Sequence, residues 1–160
     1  MQKKRFFKIL AFEILAIIAI ALFFFVDASD IYKFYAGDTV FATQNEDCDL
    51  HVSACGVKLS VTENEMFFDI EPKSIPLMQE LHFEVKLAKP LSKDTLDLAI
   101  YATNMNMGYH TVAMQKITEN TYAAKAILPT CSVGGMQWRA EVKIDAPTKS
   151  YGGAFHFKTE

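Results

Sequence analysis

The stretch "ELHFEVKLA", Glu80 to Ala88, alternates apolar and polar residues at every position from 80 to 87. This period of two is the pattern of a β-strand that buries one face and exposes the other. The same period recurs on both sides of the stretch, and little of the chain after Thr39 has the 3.6-residue period of a helix. The other predicted strands are 57–62, 66–70, 96–102, 111–118, 122–128, 136–144 and 154–158.

Seven or eight short strands separated by turn-forming residues are typical of an all-β, immunoglobulin-like antiparallel β-sandwich. We therefore predict a β-sandwich domain over residues 39–160. Consecutive antiparallel strands reverse direction at each turn, which predicts where the loops lie. The loops 71–80, 103–110 and 129–135, with the segment before Val57, are expected at one end of the domain.

The first 30 residues, "MQKKRFFKILAFEILAIIAIALFFFVDASD", are basic at the start and then apolar from Ile9 to Val26, broken only by Glu13. An apolar run of this kind is close to the roughly 20 residues with which a helix crosses a bilayer. The basic flank predicts that everything after Asp30 lies outside the cytoplasm. The predicted order is a basic cytoplasmic N-terminus (1–8), one transmembrane helix (9–28), a linker (29–38) and the β-sandwich.

Two other interpretations of this N-terminal region remain open. Val26 and Ala28 are small residues that suit a signal-peptidase site, although a signal-peptide core usually has only about 7–15 apolar residues. Glu13 within an apolar helix is also a feature of type IV pilins, but Lys8 stands where the pilin pattern has a small residue.

Charge and motif content exclude several classes of protein. Residues 31–160 carry twelve basic and sixteen acidic residues, a net charge of −4, so they lack the basic surface of a nucleic-acid-binding domain. The sequence contains no nucleophile elbow, phosphate-binding loop or zinc-ligand spacing. We therefore expect a protein that is not an enzyme and does not bind nucleic acid.

The three cysteines are Cys48, Cys55 and Cys131, and thiols in an exported domain tend to form disulfides. In "CDLHVSAC" a local bridge between Cys48 and Cys55 is predicted to close a small loop. Cys131 is then left over, and an odd cysteine in an exported protein suggests a reactive or metal-binding thiol. It can equally be a small buried residue or the partner of another cysteine.

The segment "NMNMGYH", Asn104 to His110, is the main candidate for a binding site. Thioethers are soft ligands that select Cu(I), and imidazole accepts copper in both oxidation states. In an extended chain Met105 and Met107 point the same way, and Gly108 permits a turn that returns His110 toward them. Cys131 or Met136 would complete the site. The alternative is that the two methionines fill one end of the core, since methionine suits irregular gaps.

These elements together give a resemblance to known proteins. The chain resembles uncharacterised proteobacterial membrane-anchored β-sandwich proteins, which are similar in outline to FixH-like and YtkA-like copper-handling domains. The segments that carry the resemblance are "CDLHVSAC", "PKSIPLMQELHFEVKL", "NMNMGYH" and "LPTCSVGGMQW". The resemblance implies an inner-membrane protein with its C-terminal domain in the periplasm. It also implies copper handling near a Sco-type copper protein or an oxidase subunit, with Met105, Met107 and Cys131 as the matching positions. The His-Met pattern of PCuAC-type copper chaperones is absent.

The expected function is therefore Cu(I) binding or copper delivery during cytochrome oxidase assembly, by a protein tethered to the lipid bilayer. The alternative is a metal-free interaction module that docks a membrane protein complex through its exposed methionine and tyrosine edge.

Overall fold

A computed structural model of the chain describes residues 13–14, 39–130, 135–146 and 149–159. The chain divides into two units, residues 1–38 and 39–160. Of the predicted membrane span 9–28, only Glu13 and Ile14 are described, and both are helical. Among the described residues, no helix has the length and apolar character needed to cross a membrane.

From Thr39 onward, the regular structure of the described residues consists of β-strands, which confirms the predicted all-β class. The alternation that defines Glu80–Leu87 is reproduced in its burial, with every second side chain buried. The strands are β1 (Val40–Thr43), β2 (Cys55–Leu59), β3 (Asn64–Glu71), β4 (Glu80–Leu87), β5 (Thr95–Ala102), β6 (His110–Thr118), β7 (Thr121–Ile127), β8 (Met136–Ile144) and β9 (Tyr151–Thr159).

These strands form one continuous sheet in the order β1-β9-β8-β5-β6-β7-β4-β3-β2. Neighbouring strands are antiparallel except for β1 and β9, which run parallel. The two ends of the order approach each other because β2 contacts β9 and β1, so the sheet is nearly closed. The buried side chains fill its interior, where the rings of Phe68 on β3 and Phe155 on β9 stack with centroids 4.7 Å apart.

Gly153 on β9 shows why the closure is tight. A Cβ atom at this position would come within 2.9 Å of the Met66 sulfur and of a Val57 methyl carbon. The absence of a side chain therefore lets β9 pack directly against the opposite strands of the same sheet.

Most predicted strands match the structure, with three differences. The four-residue strand β1 was not predicted, and β9 was predicted to begin at Ala154 whereas it begins at Tyr151. The predicted turn at 62–65 was placed late, because β3 begins at Asn64. Glycine is uncommon in β-strands, so the sequence around Gly152 and Gly153 did not predict the first part of β9.

The predicted convergence of loops is confirmed for the described residues; positions 131–134 of the loop 129–135 lie outside them. The Met78 N–H donates to the Leu128 carbonyl oxygen at 2.9 Å, and the Thr103 N–H donates to the Gln137 carbonyl oxygen at 2.8 Å. We call this part of the domain the loop end; it comprises residues 44–54, 72–79, 103–109 and 128–130 with Gly135.

Candidate functional site

The loop that carries the two candidate methionines is fastened to the start of β8. The Asn104 side chain donates to the Gly135 carbonyl oxygen at 3.0 Å and accepts a hydrogen bond from the Gln137 N–H at 3.1 Å. With the backbone bond from Thr103, these contacts join the β5–β6 loop to the neighbouring strand. Hydrogen bonds therefore hold the backbone in place just before Met105.

Met105 and Met107 are half-buried and pack against the hydrophobic core. Gly108 follows with a φ of +76°, in the left-handed region that favours glycine, and so turns the chain as predicted. His110 then begins β6 opposite Ile100, with its side chain exposed. The loop thus holds two methionines at the end of the core, and the first residue of β6 places an imidazole in solvent, which fits the packing interpretation.

The other predicted ligands differ in their positions. Met136 is the first residue of β8, opposite Thr159, and only 1% of its surface is exposed, so it belongs to the core. Cys131 lies outside the described residues. No three His, Cys, Asp or Glu side chains in the described part of the chain converge as a metal site.

A disulfide between Cys48 and Cys55 is present, as predicted, and closes a short loop at the loop end. His51 lies inside that loop, and its ring nitrogens lie 2.9 Å from the Lys73 carbonyl oxygen and 2.7 Å from the Lys158 carbonyl oxygen. Its contacts give it a structural role, because it ties the disulfide loop to the β3–β4 loop and to the end of β9.

Several large apolar side chains are exposed in the loop end or at the strand residue next to it. Val52 is 75% exposed, Met78 62%, Tyr109 74% and Ile127 56%. We call these four residues the apolar set. The sequence analysis singled out the Met/Tyr edge at 105–109 but missed Val52 and Ile127, because each sits in a stretch of ordinary composition and only the fold brings them to this end.

Comparisons with protein-family models, with curated proteins and with solved structures found no match.

A hydrogen-bonded cluster lies on the outer face of the sheet beside the loop end. The Tyr101 hydroxyl donates to Glu141 Oε1 at 2.9 Å, and Arg139 Nε donates to the same oxygen at 2.7 Å. The Tyr109 ring packs on the Tyr101 ring with centroids 4.6 Å apart. Burial, with the Glu141 carboxylate, raises the pKa of Tyr101 well above its usual range, so the phenol stays protonated.

His156 faces Arg139 across the β8–β9 pair. Burial, with the nearby guanidinium, lowers the pKa of His156 below its usual value, and this favours the neutral imidazole. The cluster was not predicted, because the tyrosine lies on β5 and the arginine and glutamate lie on β8, and they meet only through the register of these two strands. Its hydrogen bonds hold the aromatic base on which exposed Tyr109 rests.

Proposed function

We propose that this chain is a non-enzymatic, membrane-anchored periplasmic protein that binds Cu(I) at its loop end and assists copper delivery during cytochrome oxidase assembly. The observation that carries the proposal is the placement of half-buried Met105 and Met107 in one fastened loop, followed within three residues by the exposed His110 at the start of β6. Within the same proposal the domain is immunoglobulin-like; the support for this is its short, mostly antiparallel strands and the approach of the two ends of the sheet.

The chemistry of the compartment supports methionine as the ligand. The Cys48–Cys55 disulfide is typical of an oxidising environment, where free thiols rarely persist. A thioether needs no deprotonation and binds Cu(I) in preference to harder ions. Transfer to a Sco-type protein or an oxidase subunit would then require only the exchange of soft ligands, with no catalytic group.

The start of β1 marks the point at which the chain enters the domain of residues 39–160. The Val40 N–H donates to the Ser150 carbonyl oxygen at 3.1 Å, where β1 and β9 both begin. β1 and β9 run parallel from there, and β9 ends beside Met136 at the loop end. The chain therefore enters the domain at the end opposite the candidate site.

The test is a competition titration of the full chain in detergent with Cu(I) against a chromophoric chelator. We expect one-to-one binding that weakens by at least about 30-fold in the Met105→Leu/Met107→Leu variant, a loss of about 2 kcal/mol. Met114→Leu is the matched control, because Met114 is fully buried in the core and its sulfur cannot reach an ion in solvent. Equal binding by the double variant and the wild type would exclude these methionines as ligands.

A second candidate function, docking to a membrane protein complex without metal, is favoured by the apolar set. Exposed apolar side chains concentrated on one part of a surface mark interaction sites, and tyrosine is frequent among residues that dominate binding energy. In membranes from cells that produce the protein, Met78→Ser/Tyr109→Ser should then reduce the size of the native complex. Val61→Ser is the control, since Val61 is 49% exposed in the β2–β3 turn. Docking predicts that the Met105/Met107 leucine variant stays in the complex.

A further inference from the structure

Strands β6 and β7 pair along only part of their length. Their register joins Gln115 to Ala123, Lys116 to Tyr122 and Thr118 to Thr121, with a shift between Lys116 and Thr118. Beyond these pairs, toward the loop end, the two strands have no register with each other. We call this stretch without register the split; its two edges are 110–114 on β6 and 124–127 on β7.

Each edge keeps its other partner, so the split is not a frayed end. β6 pairs with β5 as far as His110 opposite Ile100, and β7 pairs with β4 as far as Ile127 opposite Glu80. Both edges are therefore held in extended conformation, and in this part of the sheet neither has a register with the other.

The direction of the backbone groups follows from alternation along a strand. The Lys116 N–H donates to the Asp94 carbonyl oxygen, on the β5 side. Because the direction alternates, the backbone N–H and C=O groups of Met114 and Val112, two and four residues before Lys116, also face β5. The backbone N–H and C=O groups of Ala113 and Thr111 therefore face the split. On β7 the Leu128 carbonyl oxygen faces β4, where it accepts from Met78, so the groups of Lys125 and Ile127 face the split.

Side chains make the β6 edge the more accessible of the two. Thr111 and Ala113 are exposed and small, whereas Lys125 and Ile127 are long, and Lys125 Nζ is bonded to Glu80 Oε1 at 2.8 Å. Native edge strands are usually protected by lysine, proline or a bulge. Between Thr111 and Gln115 the β6 edge has none of these.

We propose that the β6 edge binds an extended, uncharged segment of a partner protein as an added strand. Main-chain donors and acceptors repeat along such an edge about every 7 Å, and an extended backbone is the ligand that matches this spacing. The absence of charge between Thr111 and Gln115 selects β-branched and apolar side chains rather than acidic or basic ones. The proposal does not depend on copper.

The test is amide hydrogen exchange of the full chain in detergent micelles, followed by NMR. The probe is a capped hexapeptide of alternating threonine and valine. We expect the Thr111 and Ala113 amides to exchange fast in the free chain and at least about tenfold more slowly with the peptide, as ladder amides do. A peptide N-methylated at alternate residues, which cannot form the ladder, should give no protection.

Ala113→Pro removes an N–H that faces the split and leaves the bonds of β6 to β5 in place, so it should abolish peptide protection of Thr111. Ala113→Ser keeps the N–H and is the matched control. Slow exchange of both amides in the free chain, or equal protection by the N-methylated peptide, would overturn the proposal. Protection that rises with protein concentration and accompanies a dimer would also overturn it, because a second copy would then be the occupant.

Discussion

Replacing Thr159 with valine should destabilise the domain through a single buried hydrogen bond. The Trp138 indole N–H donates to the Thr159 hydroxyl oxygen at 2.9 Å, and the two residues are 1% and 4% exposed. Valine has nearly the shape of threonine but cannot accept a hydrogen bond. The Thr159→Val variant therefore keeps the packing and leaves a buried indole donor without a partner.

The expected cost follows from the burial of the donor. A buried donor left unsatisfied costs about 1–3 kcal/mol, so we expect the free energy of unfolding to fall by about 2 kcal/mol. Domains of this size have stabilities of about 5–15 kcal/mol, so the loss is a substantial fraction. It corresponds to a melting temperature lower by about 6–8 °C.

The assay is urea unfolding of the full chain, followed by circular dichroism. Trp138→Phe should also destabilise, because it removes buried apolar area and leaves the threonine hydroxyl without its donor. The double variant contains neither polar group, so its loss should be smaller than the sum of the single losses by about 1 kcal/mol. Strict additivity, or a Thr159→Val variant within about 0.3 kcal/mol of the wild type, would refute the reasoning.

Three further predictions concern the same domain. The pKa of His156 is lowered on folding, so the folded protein binds a proton less readily than the unfolded chain. The free energy of unfolding should therefore be unaffected by this group well above pH 6.5 and should decrease as the pH falls from about 6.5 toward the folded pKa. In thermal melts, the His156→Gln variant should show a smaller loss of stability between pH 7.5 and 5.5 than the wild type. Reducing the Cys48–Cys55 bridge should lower the free energy of unfolding by about 2.5 kcal/mol, because the unfolded chain regains the entropy lost on closing its short loop. The same reductant should not change the stability of a variant in which both cysteines are replaced by alanine. Gly152→Ala should cost more than about 2 kcal/mol in urea unfolding, because its Cβ would overlap a carbonyl oxygen of β8, whereas Gly56→Ala meets only a movable phenyl ring and should cost less.

The fold was predictable where burial alternates strictly. Glu80–Leu87 lies between two neighbours in the sheet and buries one face, so its sequence alone encodes a strand. The short strand β1 was missed because its four residues, "VFAT", are too few to establish a period. The bounds of β9 were missed because its glycines are selected by close approach to other strands, which is a tertiary requirement.

The candidate site was predictable in composition but only partly in position. Chain direction alone placed the loops at one end, because antiparallel pairing fixes which turns lie together. Depth is different: Met136 and Met105 are both methionines near turns, yet one is buried at the start of a strand and the other half-exposed in a loop. Strand register decides whether a side chain faces the interior. At the first residue of a strand, such as Met136, the sequence pattern is too short to show which face is buried.

The packing of Met105 and Met107 against the core determines what Cu(I) binding would cost. Hydrogen bonds from Asn104 already hold the backbone before Met105, so binding need not order the start of the loop. The main entropic cost is the rotamer freedom of the two methionines, about 1–2 kcal/mol each, and part of it is already lost in their packed positions. Leucine would preserve that packing and remove the sulfur, so the double leucine variant separates copper binding from apolar docking without disturbing the core.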